Sequence, residues 1–225
     1  MEKTIWVNGD EFILVEAENL SLDDDFMKYV PRTYKEDVTK QLISETIRIG
    51  VKNFYRPKCD PSFSRDGESI CFVPGNLPAV GKTITWWNFT AIRYSTERNS
   101  RLGTYIEYLA FLGVLIKKLV EEGNSVEWAW NAVCNDSRKL GHYWNSRGAR
   151  HNFETTGSRC VCGYCDLANT SKMLAKDMNA PGCWVVGGNY NFVGYCAPLA
   201  SFDPDCDLFR CNEINYIVGW VILEK

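Results

Sequence analysis

The sequence lacks the features of a secreted, membrane-spanning or nucleic-acid-binding chain. Its first ten residues contain no apolar signal region. The longest apolar run, residues 108–116, contains a glycine and stops at Lys117, and a bilayer needs roughly 20 apolar residues. Basic residues are not in excess, because the net charge is -3, so no nucleic-acid partner is predicted. We expect a soluble chain with no transmembrane segment and no secretion signal, which leaves the cytoplasm, a virion or a non-standard export route open as locations.

Histidine is scarce and cysteine is not. His142 and His151 are the only two histidines, and nothing in their spacing requires a metal site. Of the ten cysteines, seven follow residue 159. Thiolates spaced as in Cys160, Cys162 and Cys165 could hold zinc with Cys183, but no second Cys-x-x-Cys pair follows. Buried free thiols or a disulfide are the favoured interpretation, and neither a metal nor a cofactor is predicted.

The apolar patterning predicts an α+β chain with small sheets and at least two helices. Asn8-Gly9 between two alternating apolar runs is typical of a hairpin with a type I′ turn. Residues 56–69 are predicted to be a loop, and residues 82–93 are aromatic and β-branched before a helix over 90–98. The other predicted elements are a helix over 36–51, a strand over 69–73, a helix over 104–122 that ends at Gly123, and a helix over 125–134.

Residues 184–223 are the most unusual part of the chain. Both ends are apolar and strand-like, and the middle is dense in Tyr, Phe, Asp, Asn and Cys. Over residues 189–216 only Glu213 belongs to the set Lys, Glu, Gln, Met and Trp, where the overall composition predicts about five such residues. Such a segment is typical of a binding face carried on a fixed scaffold.

Five short motifs, in order, resemble the formylglycine-generating-enzyme branch of the C-type lectin fold. The clearest is Arg101-Leu-Gly-Thr-Tyr-Ile-Glu107-Tyr108, which is similar to the family's Arg-Leu-Pro-Thr-x-x-Glu-Trp, with Gly103 in place of proline. The others are Pro78-Ala-Val-Gly-Lys-Thr-Ile-Thr-Trp86-Trp87, Gly163-Tyr-Cys-Asp-Leu-Ala-Asn169, Val185-Val-Gly-Gly-Asn-Tyr190 and Val218-Gly-Trp-Val221.

The resemblance implies a loop-rich C-type lectin-like core over residues 78–225, with a variable ligand-binding segment at 189–216 inside it. Residues 1–77 are not covered, and we expect their hairpin and helix to pack into the same domain. Glu107 and Arg101 would brace an irregular loop through hydrogen bonds.

One branch of this family is catalytic and binds copper through two cysteines after its Gly-Gly-Ser motif. Here Cys196 lies near the second position, but the first is occupied by Asn191 or Phe192, which are not soft ligands. A metal-dependent oxidising enzyme is therefore the alternative function, in which Cys196 would act with Cys183, Cys206 or Cys211.

The other branch comprises the variable proteins of diversity-generating retroelements. Their codons are rewritten at template adenines, and rewriting the first two bases of an AAC codon never yields Lys, Glu, Gln, Met or Trp. That set is the one depleted over residues 189–216. The resemblance therefore implies a ligand-binding protein without catalysis.

The expected binding face combines aromatic contact area with directional polar groups. Its residues are Tyr190, Phe192, Tyr195, Phe202, Asp203, Asp205, Asp207, Phe209, Arg210, Asn212, Asn215 and Tyr216. The expected partner is a protein, because aromatic and acidic faces are typical of interfaces. Two other interpretations stay open: Asp203, Asp205 and Asp207 could bind calcium, or the chain could be a structural or virion protein without variation.

Overall fold

The computed structural model describes residues 3–18, 20, 51–74, 76, 79–134, 140, 160–165, 167, 172–176, 183–186, 202–203 and 217–225. For residues 134, 172–176, 183–186, 202–203 and 217 only the backbone is described. Within these ranges the chain has three helices and thirteen short strands arranged in four sheets. The predicted α+β class with small, mainly antiparallel sheets is confirmed. The helix predicted for 36–51 lies outside the described residues, except for its last residue.

The chain begins with the predicted hairpin. Strands β1 (Thr4–Val7) and β2 (Asp10–Val15) are antiparallel. Asn8 and Gly9 connect them at φ values of 55° and 85°, as a type I′ turn requires. Ile5 and Val7 are buried and Trp6 is exposed, so alternation along β1 directs one face into the core. The hairpin prediction is confirmed.

The largest sheet joins the start of the chain to its end. Its order is β1-β2-β3-β13-β6, where β3 is Phe54–Pro57, β6 is Ser100–Leu102 and β13 is Val221–Glu224. The last strand, β13, is antiparallel to both β3 and β6. The N-terminal hairpin and the C-terminal strand are therefore parts of one sheet.

Residues 56–69 are not entirely loop, which corrects the sequence prediction. Pro57 ends β3, and β4 (Ser62–Phe63) pairs with β5 (Ile70–Cys71). The predicted strand over 69–73 is present but shorter. These strands are only two residues long, so their alternation is too brief to distinguish from the surrounding turn residues.

Helix α1 spans Ile84–Arg93 and starts earlier than predicted. The helix predicted for 90–98 overlaps α1 only at residues 90–93, and the β-branched and aromatic residues before it, which favour strands by propensity, are helical. The Thr83 hydroxyl caps the helix by accepting from the backbone N–H of Trp86 at 3.1 Å. Trp87 and Ala91, four residues apart, are both buried, and this tertiary packing outweighs the local propensity.

Helices α2 (Tyr105–Glu121) and α3 (Val126–Cys134) confirm their predictions. Thr104 and Glu107 form a reciprocal capping box at the start of α2. Beyond its end, Gly123 has a φ of 96°, a left-handed conformation that glycine adopts without strain. Most residues of α2 are buried, so it is the central helix of the core.

A second sheet has the order β11-β10-β9-β12. The strands are β9 (Lys172–Lys176), β10 (Cys183–Val186), β11 (Phe202–Asp203) and β12 (Ile217–Gly219). Only Trp220 separates β12 from β13 of the first sheet. A fourth, two-stranded sheet pairs β7 (Cys160–Val161) with β8 (Tyr164–Cys165).

Candidate functional site

The segment between β10 and β12 leaves and re-enters the second sheet at the same end. Strand β10 runs antiparallel to β9 and ends with Val186 opposite Met173. Strand β12 runs parallel to β9 and begins with Ile217 opposite Lys172. Only β9 lies between them, and neighbouring strands are roughly 4.8 Å apart, so the two ends are about 10 Å apart. The end of β10 and the start of β12 therefore lie close together at the same end of the sheet, and of the segment between them the structure describes only residues 202–203. The strands β9, β10 and β12 and the elements packed on them are called the frame.

Two residues of the expected binding face lie in a strand. Phe202 and Asp203 form β11, which pairs with Val186 and Val185 of β10 at the edge of the sheet. Sequence patterning did not predict a strand there. The other ten residues expected on this face lie outside the described part of the chain: Tyr190, Phe192, Tyr195, Asp205, Asp207, Phe209, Arg210, Asn212, Asn215 and Tyr216.

Close contact between a glycine and an indole anchors the end of the frame. A Cβ atom built on Gly219 would lie 2.3 Å from Cε3 of Trp87 and 2.9 Å from Cδ2 of Leu102. Trp87, Val218 and Leu102 are all buried, with no more than 2% of any of the three residues exposed to solvent. Because no larger residue fits, α1 and β6 both pack directly on the backbone of β12.

Gly103 and Trp220 form a second close contact. Each of them is the next residue along the chain from a residue of the first contact, Leu102 and Gly219 respectively. A Cβ atom on Gly103 would lie 2.5 Å from Cε3 of Trp220, and the Gly103 N–H donates to the Trp220 carbonyl at 2.7 Å. A proline at this position, as in the family motif, has no N–H to donate. Glycine at 103 is therefore required by the buried Trp220, whose ring also makes edge contacts with Phe54 and Tyr108.

Arg101 joins β6, α2 and β13 through a network of ion pairs. Its Nη2 and Nη1 donate to the two carboxylate oxygens of Glu107 at 2.7 and 2.9 Å, and its Nε donates to Glu224 at 2.7 Å. Burial acts to lower the pKa of Arg101, but the hydrogen bonds and charges of both carboxylates outweigh it and raise that pKa. Hydrogen bonding to Arg101 lowers the pKa of Glu224. The expected hydrogen bonding of Arg101 and Glu107 is present, and it joins β6 to the start of α2.

The cysteine cluster contains a disulfide, one of the two forms that the sequence favoured. Cys160 and Cys165 are bonded across the β7–β8 hairpin. Cys162 lies in its turn as a free thiol with a φ of 52°. Burial, followed by the charge and hydrogen bond of Glu122, raises the pKa of Cys162 to about 12. In the described ranges no group of three or more side chains is suited to hold a metal ion.

The side chains of the cysteines in the alternative oxidising enzyme lie outside the described part of the structure. Cys196, Cys206 and Cys211 lie outside the described residues, and for Cys183 only the backbone of β10 is described. The same holds for Asp205 and Asp207 of the calcium alternative. Neither alternative has described ligand geometry.

A cavity beside α1 was not indicated by any sequence motif. It has a volume of about 740 Å³ and lies between the β1–β2 turn, the β4–β5 hairpin and α1. The buried Asp10 carboxylate lines it and accepts from the Tyr94 hydroxyl at 2.7 Å. Asp10 follows the Asn-Gly turn, and 84 residues separate it from Tyr94, so sequence spacing gave no signal for their contact.

No helix in the described ranges combines the length and the apolar character needed to cross a bilayer. Comparison of the chain with protein-family models, with curated proteins and with solved structures finds no significant match. The function is therefore inferred from the residues and the geometry of this chain.

Proposed function

We propose that this chain is a ligand-binding variable protein of a diversity-generating retroelement, without catalytic activity. Residues 189–216 form its diversified binding face, carried on a C-type lectin-like scaffold of the formylglycine-generating-enzyme type. The observation that carries the proposal is compositional. Of the five residue types that adenine-directed rewriting of AAC codons cannot produce, this segment of 28 residues contains a single member, Glu213.

The arrangement of the frame supports the proposal. A diversified segment needs fixed ends that do not depend on its own side chains. Here the returning strand is anchored by Gly219 against Trp87 and by Trp220 against Gly103, and all four residues lie outside 189–216. Substitutions within the segment therefore leave these anchoring contacts unchanged.

The positions of the family-like motifs support the proposed scaffold. The Arg101–Glu107 motif supplies the ion pair and the capping box at the junction of β6 and α2. The motif that ends at Trp87 enters α1, and the motif at 218–221 forms the junction of β12 and β13. Three of the five resembling motifs thus coincide with contacts that hold the frame together.

The proposed ligand is a protein. Aromatic side chains such as Tyr190, Phe192 and Phe209 would provide rigid contact area at a low entropic cost. Carboxylate, amide and guanidinium groups such as Asp205, Asn212 and Arg210 would provide directional and charge-assisted contacts. This combination recognises another protein surface without a chemical step.

The proposal is tested by comparing two libraries of the same size. In one, the twelve residues of the expected face are replaced with codons of the form NNC; in the other, twelve buried residues of β2, α2 and β13 are replaced in the same way. We expect most members of the first library to stay folded, measured as protease-resistant protein displayed on yeast, and few of the second. Equal loss of folding in both would show that residues 189–216 include indispensable core positions and would contradict the proposal.

A search of the flanking DNA provides an independent test. The proposal requires a near-repeat of the 3′ coding end, differing at adenines, beside a reverse-transcriptase gene. If neither is present, the metal content of the purified protein decides whether the oxidising-enzyme alternative should replace it.

A further inference from the structure

The cavity beside α1 has the size and shape of a small-molecule site. Its volume of about 740 Å³ falls within the range of roughly 300–1,000 Å³ that ligand pockets have. One wall is the β4–β5 hairpin, from Ser64 to Cys71, and the opposite wall is α1. The hairpin wall is held in place by Asp66, whose carboxylate accepts from the backbone N–H groups of Glu68 and Ser69 at 2.8 and 3.0 Å.

Asp10 gives the cavity a buried negative group. Asp10 is only 5% exposed, and its Oδ2 accepts from the Tyr94 hydroxyl at 2.7 Å. Tyr94 also donates to the Val7 carbonyl at 3.0 Å, so its proton is shared between two acceptors. Within the described part of the chain, no Lys or Arg side chain lies within 4 Å of the Asp10 carboxylate as an ion-pair partner. Burying a charged carboxylate without a cationic partner is costly, and a ligand with a cationic donor would offset that cost best.

The α1 wall presents aromatic faces together with positive charge. The Lys82 ammonium lies 5.0 Å from the ring centroids of both Phe63 and Trp86. The Arg93 guanidinium lies 3.6 Å from the centroid of Phe89, whose ring is 54% exposed. Lys82, Trp86, Phe89 and Arg93 all line the cavity. In the described ranges no carboxylate within 4 Å pairs with Lys82 or Arg93, so both cations are available to an anionic group.

The cavity has a negative group, Asp10, and two positive groups, Lys82 and Arg93, with aromatic side chains on the same lining. A ligand that carries one positive and one negative group on an apolar body would complement it. We propose that this cavity binds a short peptide with free termini, whose ammonium group pairs with Asp10 and whose carboxylate pairs with Arg93 and Lys82. An apolar or aromatic side chain of the peptide packs against Trp86 and Phe89. A single anionic or cationic ligand would leave one of the two charged groups without a partner.

This inference is independent of the proposed function. The cavity is lined by residues between 8 and 94, and none of these described residues belongs to the segment 189–216. The peptide site can therefore exist whether or not that segment is diversified, and each proposal is tested by a different experiment.

The test compares three forms of one tripeptide, alanyl-phenylalanyl-alanine, by isothermal titration calorimetry on the full chain at neutral pH. We expect the form with free termini to bind. Acetylation of its N-terminus removes the ammonium group, and amidation of its C-terminus removes the carboxylate. Each modification should weaken binding by roughly tenfold or more, because each removes a charge-assisted hydrogen bond.

Variants of the protein test which of its side chains binds each terminus of the peptide. Asp10→Asn keeps an acceptor for Tyr94 and should weaken binding of the free tripeptide but not of its acetylated form. The pair Lys82→Gln and Arg93→Gln should weaken binding of the free tripeptide but not of its amidated form. The matched controls, Glu16→Gln and Arg65→Gln, change the same charges at exposed positions outside the cavity and should leave the affinity unchanged.

The proposal is overturned if the free tripeptide does not bind, or if either acetylation or amidation leaves the affinity unchanged. Because the blocked peptides are tested on the unmodified chain, these outcomes do not depend on the folding of any variant. Binding that the control variants weaken as much as the cavity variants would place the peptide elsewhere and would equally overturn it.

Discussion

Gly219 lies so close to Trp87 that a Cβ atom on it would be 2.3 Å from Cε3 of the indole. The contact joins two distant parts of the chain: the start of helix α1 and the strand that follows the proposed binding face. The Gly103–Trp220 contact joins β6 to the next residue of the chain in the same way. Together they hold the strand that follows the segment, and all four residues of these contacts lie outside 189–216.

The first prediction concerns the contact between Gly219 and Trp87. Gly219→Ala should lower the free energy of unfolding by about 3 kcal/mol, because a methyl group would overlap the buried ring of Trp87. Gly67→Ala is the matched control: no atom lies within 4 Å of the added Cβ, so it should cost only the strain of a left-handed residue, about 1 to 2 kcal/mol. Urea denaturation followed by tryptophan fluorescence measures both. A smaller loss in Gly219→Ala than in the control would contradict the packing.

The second prediction concerns the pH dependence of the Arg101–Glu224 pair. The pKa of Glu224 is lowered from 4.5, first by its hydrogen bond to Arg101, so the ionised carboxylate stabilises the folded state above that pH. The contribution disappears as the pH falls below 4.5 through the lowered folded pKa. Since Glu224 is largely exposed, Glu224→Gln should cost only about 0.2 to 1 kcal/mol at neutral pH.

Urea unfolding of the wild-type chain and Glu224→Gln across the acid range tests this prediction. The difference between the two should shrink toward zero in acid, and also at high salt because screening weakens the pair. A difference that persists in strong acid would mean that the charge on Glu224 is not its source.

The third prediction concerns the reactivity of Cys162. Its pKa is raised from 9.0 to about 12, and the thiolate is the reactive form, so alkylation by iodoacetamide should be slow at neutral pH. Glu122→Gln removes a negative charge that raises this pKa and should accelerate the reaction. Peptide mapping by mass spectrometry separates Cys162 from the other cysteines. Rapid labelling in the wild-type chain would contradict the burial of this thiol.

The fourth prediction concerns the Cys160–Cys165 disulfide, which closes a short loop. Replacing both cysteines with serine should lower the free energy of unfolding by about 2 kcal/mol, because the loop entropy of the unfolded chain is restored. Thermal unfolding under non-reducing conditions measures the loss. Under reducing conditions, the wild-type chain and the double variant should unfold at similar temperatures.

The fifth prediction concerns the proposed binding face. Phe209→Ala and Asp205→Ala should leave the melting temperature nearly unchanged, because surface substitutions usually alter stability by less than about 0.5 kcal/mol. Phe111→Ala, which removes a buried ring in α2, is the contrasting control and should cost about 3 to 5 kcal/mol. If Phe209→Ala were as destabilising as Phe111→Ala, residue 209 would belong to a core and not to a binding face.

Local chemistry made several elements predictable. The Asn8-Gly9 turn, the Thr104–Glu107 capping box and Gly123 each specify a structure within a few residues, and the hairpin and the helix that contain them were predicted correctly. Helix α1 was not, because its register depends on burying Trp87 against Gly219, which lies more than a hundred residues away. Local propensity cannot report such a contact.

The site was predictable only in part, for the same reason. The composition of 189–216 singled out the segment, but the strand order that returns it beside β9 depends on long-range pairing. The cavity between Asp10 and Arg93 had no sequence signal at all, because it forms where the first hairpin meets α1. The pairing of β13 between β3 and β6 was likewise not readable from either strand alone.

The central claim is tested most directly by sequencing the 3′ end of this gene across many clones of its source population. The account predicts substitutions confined to adenine-derived positions within codons 189–216, with the flanking codons, among them those for Gly219 and Trp220, unchanged. A sequence that is uniform across the population, or variation that falls equally on the frame and the segment, would contradict a diversified binding face.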